Sequence, residues 1–556
     1  MSGYYDLGSH RLPVTASSPE GQLWFDRGLL WCYGFNHGEA VRCFRRVLES
    51  SPDCAMAYWG IAYALGPNYN KPWDAFDEAE FRSVLAEAHE TVSKAVALLD
   101  GVTEMEQAMI RALAYRYPTG VPGADPAGWT EDYVTNMRQV YQRFPGHPDI
   151  GALFAESLMN RTPWNLWDLK TGGISEGAST AEAKEVLESA LQRVEDSGGP
   201  WHPGLLHMYI HLMEMSPNPE AALKEADRLR GLAPDSGHLQ HMPTHIDVLC
   251  GHYQAVVDSN DAAIIADRKF QELEGSVNFY SLYRCHNYHF KVYGAMFLGQ
   301  YRPAIQAAEE MIDSTLTAEL LAVQSPPMAD WLEGFVSVKQ HVLIRFGRWE
   351  EIIAQELPED KELYCVTTAM IHYAKAVAYA SMGSVPAAER ESARFDEALS
   401  RVPDSRNLFN NTCRDILAIA REMMLGEIEY RWGNFEAAFT HLRESVELDD
   451  NLPYDEPWGW MQPARHALGA LLLEQGRVEE ACRTYRADLG YDDTVSRACQ
   501  HPDNVWSLHG YHECLIRLGR TAEAELIEQR LRLANARTDV SVAASCFCRL
   551  EANQGI

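Results

Sequence analysis

Four histidines of this chain fall in matched pairs 34 residues apart, His207 with His241 and His211 with His245. Within each set the spacing is i, i+4, so both imidazoles leave the same face of a helix. Two histidines so placed are a two-ligand frame for a transition metal. His238, His286 and His289 extend the group to seven, and Glu214 stands three residues after His211. Nine of the twenty histidines lie in the 88 residues from His202 to His289, against the roughly three that even spreading gives. Imidazole donors suit copper, iron, zinc or nickel and exclude calcium and magnesium. Seven exceed what one tetrahedral ion uses, so either two ions bind or some imidazoles orient others. Three histidines per ion is the pattern of a coupled dicopper site, while Glu214 equally suits iron or a bridging carboxylate. Met208 stands where a zinc-protease helix carries glutamate, which removes the usual general base. Redox chemistry with copper, or iron, is therefore preferred to zinc-type hydrolysis. Taken singly, a helical histidine is more often a surface residue or a satisfied core residue. A neutral polar network and a pH-sensitive cluster are the group's other readings. Seven in register on one face are harder to satisfy singly, because buried imidazoles need partners.

The elements that carry these residues repeat. Gly28, Ala40, Phe44 and Pro52 sit at spacings of 12, 4 and 8. Later units carry a turn glycine followed five residues on by alanine: Gly299/Ala304, Gly433/Ala438, Gly476/Ala481 and Gly519/Ala524. Gly251, Gly347 and Gly383 mark further turns. Glycine ends the first helix through a left-handed backbone, and alanine lets the second helix approach. Apolar residues recur at 3 and 4, with almost no strand pattern. These residues and the 34-residue period resemble the tetratricopeptide-repeat superfamily, which implies an all-α superhelical solenoid of stacked helix-turn-helix hairpins. With the turn glycine at position 15, His238, His241 and His245 take positions 2, 5 and 9 of one first helix. His286 and His289 take 2 and 5 of the next, and His207, His211 and Glu214 take 5, 9 and 12 of the one before. Advances of 3, 4 and 3 describe one face, and the resemblance implies that this face lines a concave groove. Pro243 is placed at the start of its helix, so that His238 and His241 project from the approach to it. The segments HPGLLHMYIHLMEMS, GHLQHMPTHI and HNYHF also resemble bacterial and fungal tetratricopeptide proteins of poorly defined function, a likeness that points to the same seven histidines and implies no reaction.

Around the cluster, Glu156, Trp164, Asn165, Trp167 and Asp168 suit the wall of a small-molecule pocket, with packing of an irregular linker as the plainer alternative. Tyr293 takes position 9, where the two previous units have histidine. Tyr293 and Glu214 are the candidates to manage a proton. His341, His466 and His509 fall at position 5 or 9 of later hairpins, and His37 lies by a turn, where it either reaches inward or caps a helix. Cys546 and Cys548 form a CxC, a weak soft-metal pair. The loop at 449–463, with three aromatics and two carboxylates, reads as a lid or as packing.

The acidic excess, net charge −31 from 79 acidic and 48 basic residues, argues against nucleic acid and anionic membrane as partners. No apolar run reaches the roughly 20 residues that span a bilayer. The start lacks a signal-peptide pattern. The expected location is cytoplasmic, with the twelve cysteines mostly reduced. The expected organisation is hairpins over 1–100, an irregular helical linker over 101–200, histidine-rich hairpins over 201–320, hairpins over 321–535 and a tail over 536–556. Together these lead to a metal-dependent enzyme acting on a small molecule, copper favoured and iron or zinc as alternatives. Its rivals are a tetratricopeptide adaptor holding a peptide or protein in the groove, and a metal-storage protein.

Overall fold

Short capped helices, each followed by a tight turn, account for nearly all of the secondary structure in the computed structural model, which describes residues 4–122 and 125–550. Caps explain the starts. Ser18 Oγ accepts from the Gly21 N–H, Asn36 Oδ1 from that of Glu39, and Thr103 and Glu106 form a reciprocal capping box. Left-handed glycines explain the ends. All seven turn glycines expected from the sequence have positive φ, from 61° at Gly347 to 84° at Gly433. Among the described residues the only strands are the pairs Asn407–Leu408 and Asn411–Thr412. The protein is all-α, with each helix packed chiefly on its neighbours in sequence, as a stack of helical hairpins requires.

The chain divides into two compact units. The first comprises residues 1–246 and 262–280, and the second 247–261 and 281–556. The first opens with the hairpin Pro19–Tyr33 and His37–Ser50 and includes Ala55–Leu65, Pro148–Met159 and Pro203–Glu214. The stretch 101–200, expected to be irregular, carries Glu104–Ala114, Pro126–Arg143, Pro148–Met159 and Thr180–Ser197; its Pro/Gly-rich pieces are the connectors. In the second unit, hairpins run from Ser281–Phe297 with Tyr301–Ser314 to Val505–Arg517 with Thr521–Asn535. Its chain end folds back: Ser545 Oγ donates to the His466 carbonyl, and Tyr485 bonds Ser545.

Helix contact is set by small residues facing large ones. Phe44 is fully buried, and its ring fills the space over both Gly28 and Gly60. In the second unit the Tyr485 ring lies in the same way between Gly469 and Gly510. The loop at 449–463 is core rather than lid: Trp460 and Met461 are each 1% exposed, and Trp458 Nε1 donates to the Asp449 carboxylate. No helix among the described residues is long and apolar enough to cross a membrane.

Replacing a helix-interior glycine by alanine ordinarily stabilises by about 1 kcal/mol. Gly60→Ala is expected to do the reverse, by roughly 1–3 kcal/mol, because the new Cβ would fall 2.7 Å from the Phe44 ring. Urea unfolding of Gly60→Ala and of Gly60→Ala/Phe44→Leu measures it. The double variant should recover part of the loss, and a stabilised single variant would refute the packing.

Candidate metal centre

The helix Pro203–Glu214 is buried on every side. Proline occupies its first turn, where a missing N–H costs little, and His202 caps it, its Nδ1 accepting from the Leu205 N–H at 3.1 Å. His207, His211 and Glu214 follow at i, i+4 and i+7 and point one way. The segment after the Gly231 turn does not form one helix. It breaks at Met242 and Pro243 into Gly237–His241 and a helix beginning at Thr244. His238 and His241 therefore stand on the approach and His245 on the helix, as the proline implied.

In the first unit these turns bring five of the seven expected histidines together. His207, His211, His238 and His241 are 0% exposed and His245 is 1%. One nitrogen from each of His207, His211 and His238 lies within 4.8 Å of the other two. His207 Nε2 and His238 Nε2 are 3.1 Å apart, and His241 Nε2 and His245 Nε2 are 2.7 Å apart. Two imidazoles on one tetrahedral ion at 2.0–2.1 Å would sit about 3.3 Å apart.

The Nδ1 partners settle which nitrogen carries the hydrogen. His207 Nδ1 is 2.6 Å from the Tyr33 carbonyl oxygen, which can only accept. The Glu214 carboxylate accepts from His211 Nδ1 at 2.8 Å through one oxygen and from His245 Nδ1 at 2.7 Å through the other. A neutral imidazole has one N–H, so Nε2 of His207 and of His211 presents a lone pair. His211 Nε2 is buried and has no hydrogen-bond partner. Carboxylate or carbonyl on one ring nitrogen, with the other left to ligate, is the arrangement that orients metal-binding histidines. Burial holds His207 neutral, its pKa lowered to about 3. Burial, and then the neighbouring His207, His245 and His241, keep His211 well below the usual range.

Aromatic rings close the cluster. The Phe35 ring lies 4.5 Å from His207, 5.8 Å from His211 and 5.4 Å from His238, centroid to centroid. Trp164 and Tyr69 lie 5.8 and 5.0 Å from His211. Phe35 and Trp164 are the two non-glycine residues of this unit described with positive φ, at 54° and 59°. Such a backbone costs on the order of 1–3 kcal/mol in an aromatic residue and persists where the surroundings enforce it. Both strained residues pack on His211, Phe35 stacked face to face and Trp164 edge to face. The histidines expected to line an open groove are thus covered, because rings from neighbouring turns fill the space above them.

His286 and His289 belong to the second unit, in the second and third turns of Ser281–Phe297 rather than the first. Phe409, at φ 50°, packs on both, 4.9 Å from His286 and 6.5 Å from His289. Tyr293 is also in the second unit, its hydroxyl 3.2 Å from His501 Nε2. His501 and His466 both bond the buried Asp488. Burial opposes the charge of Asp488, but these two histidines outweigh it and hold the carboxyl well below its usual range. Glu156 is buried and accepts from Tyr63, and burial raises its pKa. Trp167 Nε1 donates to the Leu212 carbonyl, which ties the pocket segment to the histidine helix. Asp168 closes a turn with the N–H groups of Lys170 and Thr171 instead of facing the cluster. His37 caps a helix end, its Nδ1 donating to the Ala64 carbonyl at 2.9 Å. His509 Nε2 likewise donates to a carbonyl, that of Ala543. Cys546 and Cys548 pair with each other as a disulfide, the one disulfide among the described residues.

One further group went unread in the sequence. His10 and Tyr33 each approach Asp149 Oδ1 at 2.8 Å, and His202 Nε2 lies 3.1 Å from the same atom. His202 Nδ1 already accepts from Leu205, so its Nε2 carries the hydrogen and offers no lone pair to an ion. This is a hydrogen-bonded knot rather than a ligand set. Tyr33 joins it to the metal candidate, its hydroxyl on Asp149 and its carbonyl on His207.

No protein-family model matches the chain, and no curated protein matches it by sequence. Solved structures similar to it include a monomeric mutant of IFIT1 with Gppp-AAAA, 12% identical over 86% of this chain and 90% of that one, with a TM-score of 0.31. The APC/C hetero-tetramer Cut9–Hcn1 is 12% identical over 94% and 88%, with a TM-score of 0.28. Yeast Tom70 is 12% identical over 92% and 96%, also at 0.28.

Burial gives the protein a defined response to acid. His37 and His289 are lowered by burial to about 4 and about 3, against about 6.5 in the unfolded chain. The unfolded state therefore takes up protons first. The stability these two histidines contribute is complete above pH 6.5 and falls as pH drops toward 4, by roughly 1.4 kcal/mol per pH unit for each. Urea midpoints of metal-free protein at pH 7.5, 6 and 5 should decline in order. Equal midpoints would contradict neutral burial.

Proposed function

We propose that the chain is a helical-repeat protein that holds a transition-metal ion at Nε2 of His207, His211 and His238, with His241 and His245 extending the donor row. The observation that carries this is the pinned tautomers: Tyr33 and Glu214 occupy the Nδ1 hydrogens and leave buried Nε2 lone pairs converging. A hydrogen-bonded network without metal would leave His211 Nε2 unsatisfied, at a cost of about 1–3 kcal/mol. An all-nitrogen set suits copper first, with iron and zinc as alternatives. Glu214 is a positioning residue in this reading. Both its oxygens are engaged by histidine, so it is no free base for hydrolysis. Where the centre turns over, the chemistry is redox on a small molecule that reaches it past Phe35, Tyr69 and Trp164, with Glu156 and Trp167 behind them. Holding the metal for storage or delivery needs the same ligands and no such passage.

A second reading, a scaffold docking a protein partner, is favoured by one observation. Stacked hairpins with a net charge of −31 offer an acidic surface suited to a basic partner.

Untagged protein, reconstituted with copper(II), iron(II) or zinc(II) and desalted, should retain at least one equivalent by elemental analysis. His207→Ala/His238→Ala should lose it with helicity intact. Glu214→Gln should weaken retention about 10–100-fold, the usual effect of removing a group that orients a ligand. Protein that folds yet retains none of the three metals would overturn the metal reading and leave the partner-docking one.

A further inference from the structure

The second unit contains a cavity of different chemistry. It has room for a single water-sized body, about 10 Å3, and its walls include His341, Cys413, Met370 and Met461. Val338, Val366, Leu408 and Ile416 supply much of the rest. Four elements meet there. His341 is on the helix Val338–Arg345, Met370 on Cys365–Ser381, Cys413 at the head of Cys413–Trp432, and Met461 in the buried loop before Ala464. His341 is 3% exposed, and its Nδ1 has no hydrogen-bond partner. Trp460, 4.7 Å away edge to face, holds its ring.

A water in such a space needs two to four polar partners. Beside the His341 nitrogen the walls offer chiefly sulfur and hydrocarbon, since the Ser337 hydroxyl already donates to the Gly334 carbonyl. One imidazole, one thiol and two thioethers around a one-atom space are instead the donor set of a soft monovalent cation. We propose that this cavity is a copper(I) site formed by His341 Nδ1, Cys413 Sγ and the sulfur atoms of Met370 and Met461. Binding replaces the Cys413 S–H by a copper–thiolate bond, and the proton leaves to solvent. The cation and the thiolate neutralise each other, which a buried apolar site requires. Cys413 is the first residue of a 20-residue helix, whose N-terminal dipole offsets part of the cost that burial sets on the bound thiolate. Gly334 keeps the sulfur's place open, because a Cβ there would come within 3.2 Å of Cys413 Sγ.

The inference stands apart from the histidine centre of the first unit, and sulfur separates the two experimentally. Full-length protein in a Cys546→Ser/Cys548→Ser background, loaded with copper(I) against a chromophoric copper(I) chelator, is examined by copper K-edge X-ray absorption. One equivalent with sulfur neighbours is expected. Met370→Leu/Met461→Leu, which conserves volume and apolarity, should remove that equivalent, as should Cys413→Ser. His207→Ala/His238→Ala should leave it in place. Copper with nitrogen neighbours only, or sulfur neighbours that persist in the Met→Leu variant, would overturn the site. So would failure of the folded parent to hold copper(I) against the chelator.

Discussion

The first unit depends on how a buried imidazole satisfies its two nitrogens. Removing five histidines from water is unfavourable unless each finds partners. The chain answers with few acceptors placed well. Glu214 serves two rings from one carboxylate, and the Tyr33 carbonyl serves a third. The burial that makes these contacts strong also keeps His207 and His211 from charging, so these two face the interior as lone-pair donors rather than as cations. Scaffold and site are thus one construction. The uniformly buried helix Pro203–Glu214 is tolerable because the Nδ1 atoms of His207 and His211 and the Glu214 carboxylate are engaged, with His211 Nε2 the exception.

Backbone strain follows from the same closure. Phe35 leaves the turn after Pro19–Tyr33 with φ 54°, and its ring thereby reaches His207, His211 and His238 together. Trp164 reaches His211 from another turn in the same conformation. Phe409 does the equivalent for His286 and His289 in the second unit. Three aromatics in a backbone region that disfavours them, each packed on histidine, show where tertiary packing overrides local preference.

Periodicity made much of this legible. The 34-residue spacing aligned His207 with His241 and His211 with His245, and position 12 added Glu214, which the structure places on His211 and His245. Turn glycines were readable because a positive φ leaves few alternatives. Spacing measures register along the chain, however, and says nothing of where compact units divide. His286, His289 and Tyr293 share the register of the first five histidines yet belong to the other unit. Nor does register tell an open face from a covered one, since the covering rings come from turns distant in sequence. Asp168 misled for a simpler reason: aspartate before Lys170 and Thr171 is satisfied locally by their N–H groups. Asp149 and Asp488 gave no signal, because their histidine partners lie 13 to 139 residues away in sequence.

The donor chemistry of the two units argues for distinct roles. The first gathers nitrogen, fixed by hydrogen bonds that set each tautomer, and such a set serves the divalent ions for which imidazole competes well. The second unit's cavity gathers sulfur around one imidazole, and among the described residues Cys413 Sγ has no hydrogen-bond acceptor. A thiol so placed keeps its proton until a cation displaces it, as the burial that raises its pKa requires. That cation must be soft enough to prefer thioether and small enough for a one-atom space. A stacked-helix scaffold permits both solutions, because each hairpin contributes its inward side chains independently and needs only small residues at the helix contacts.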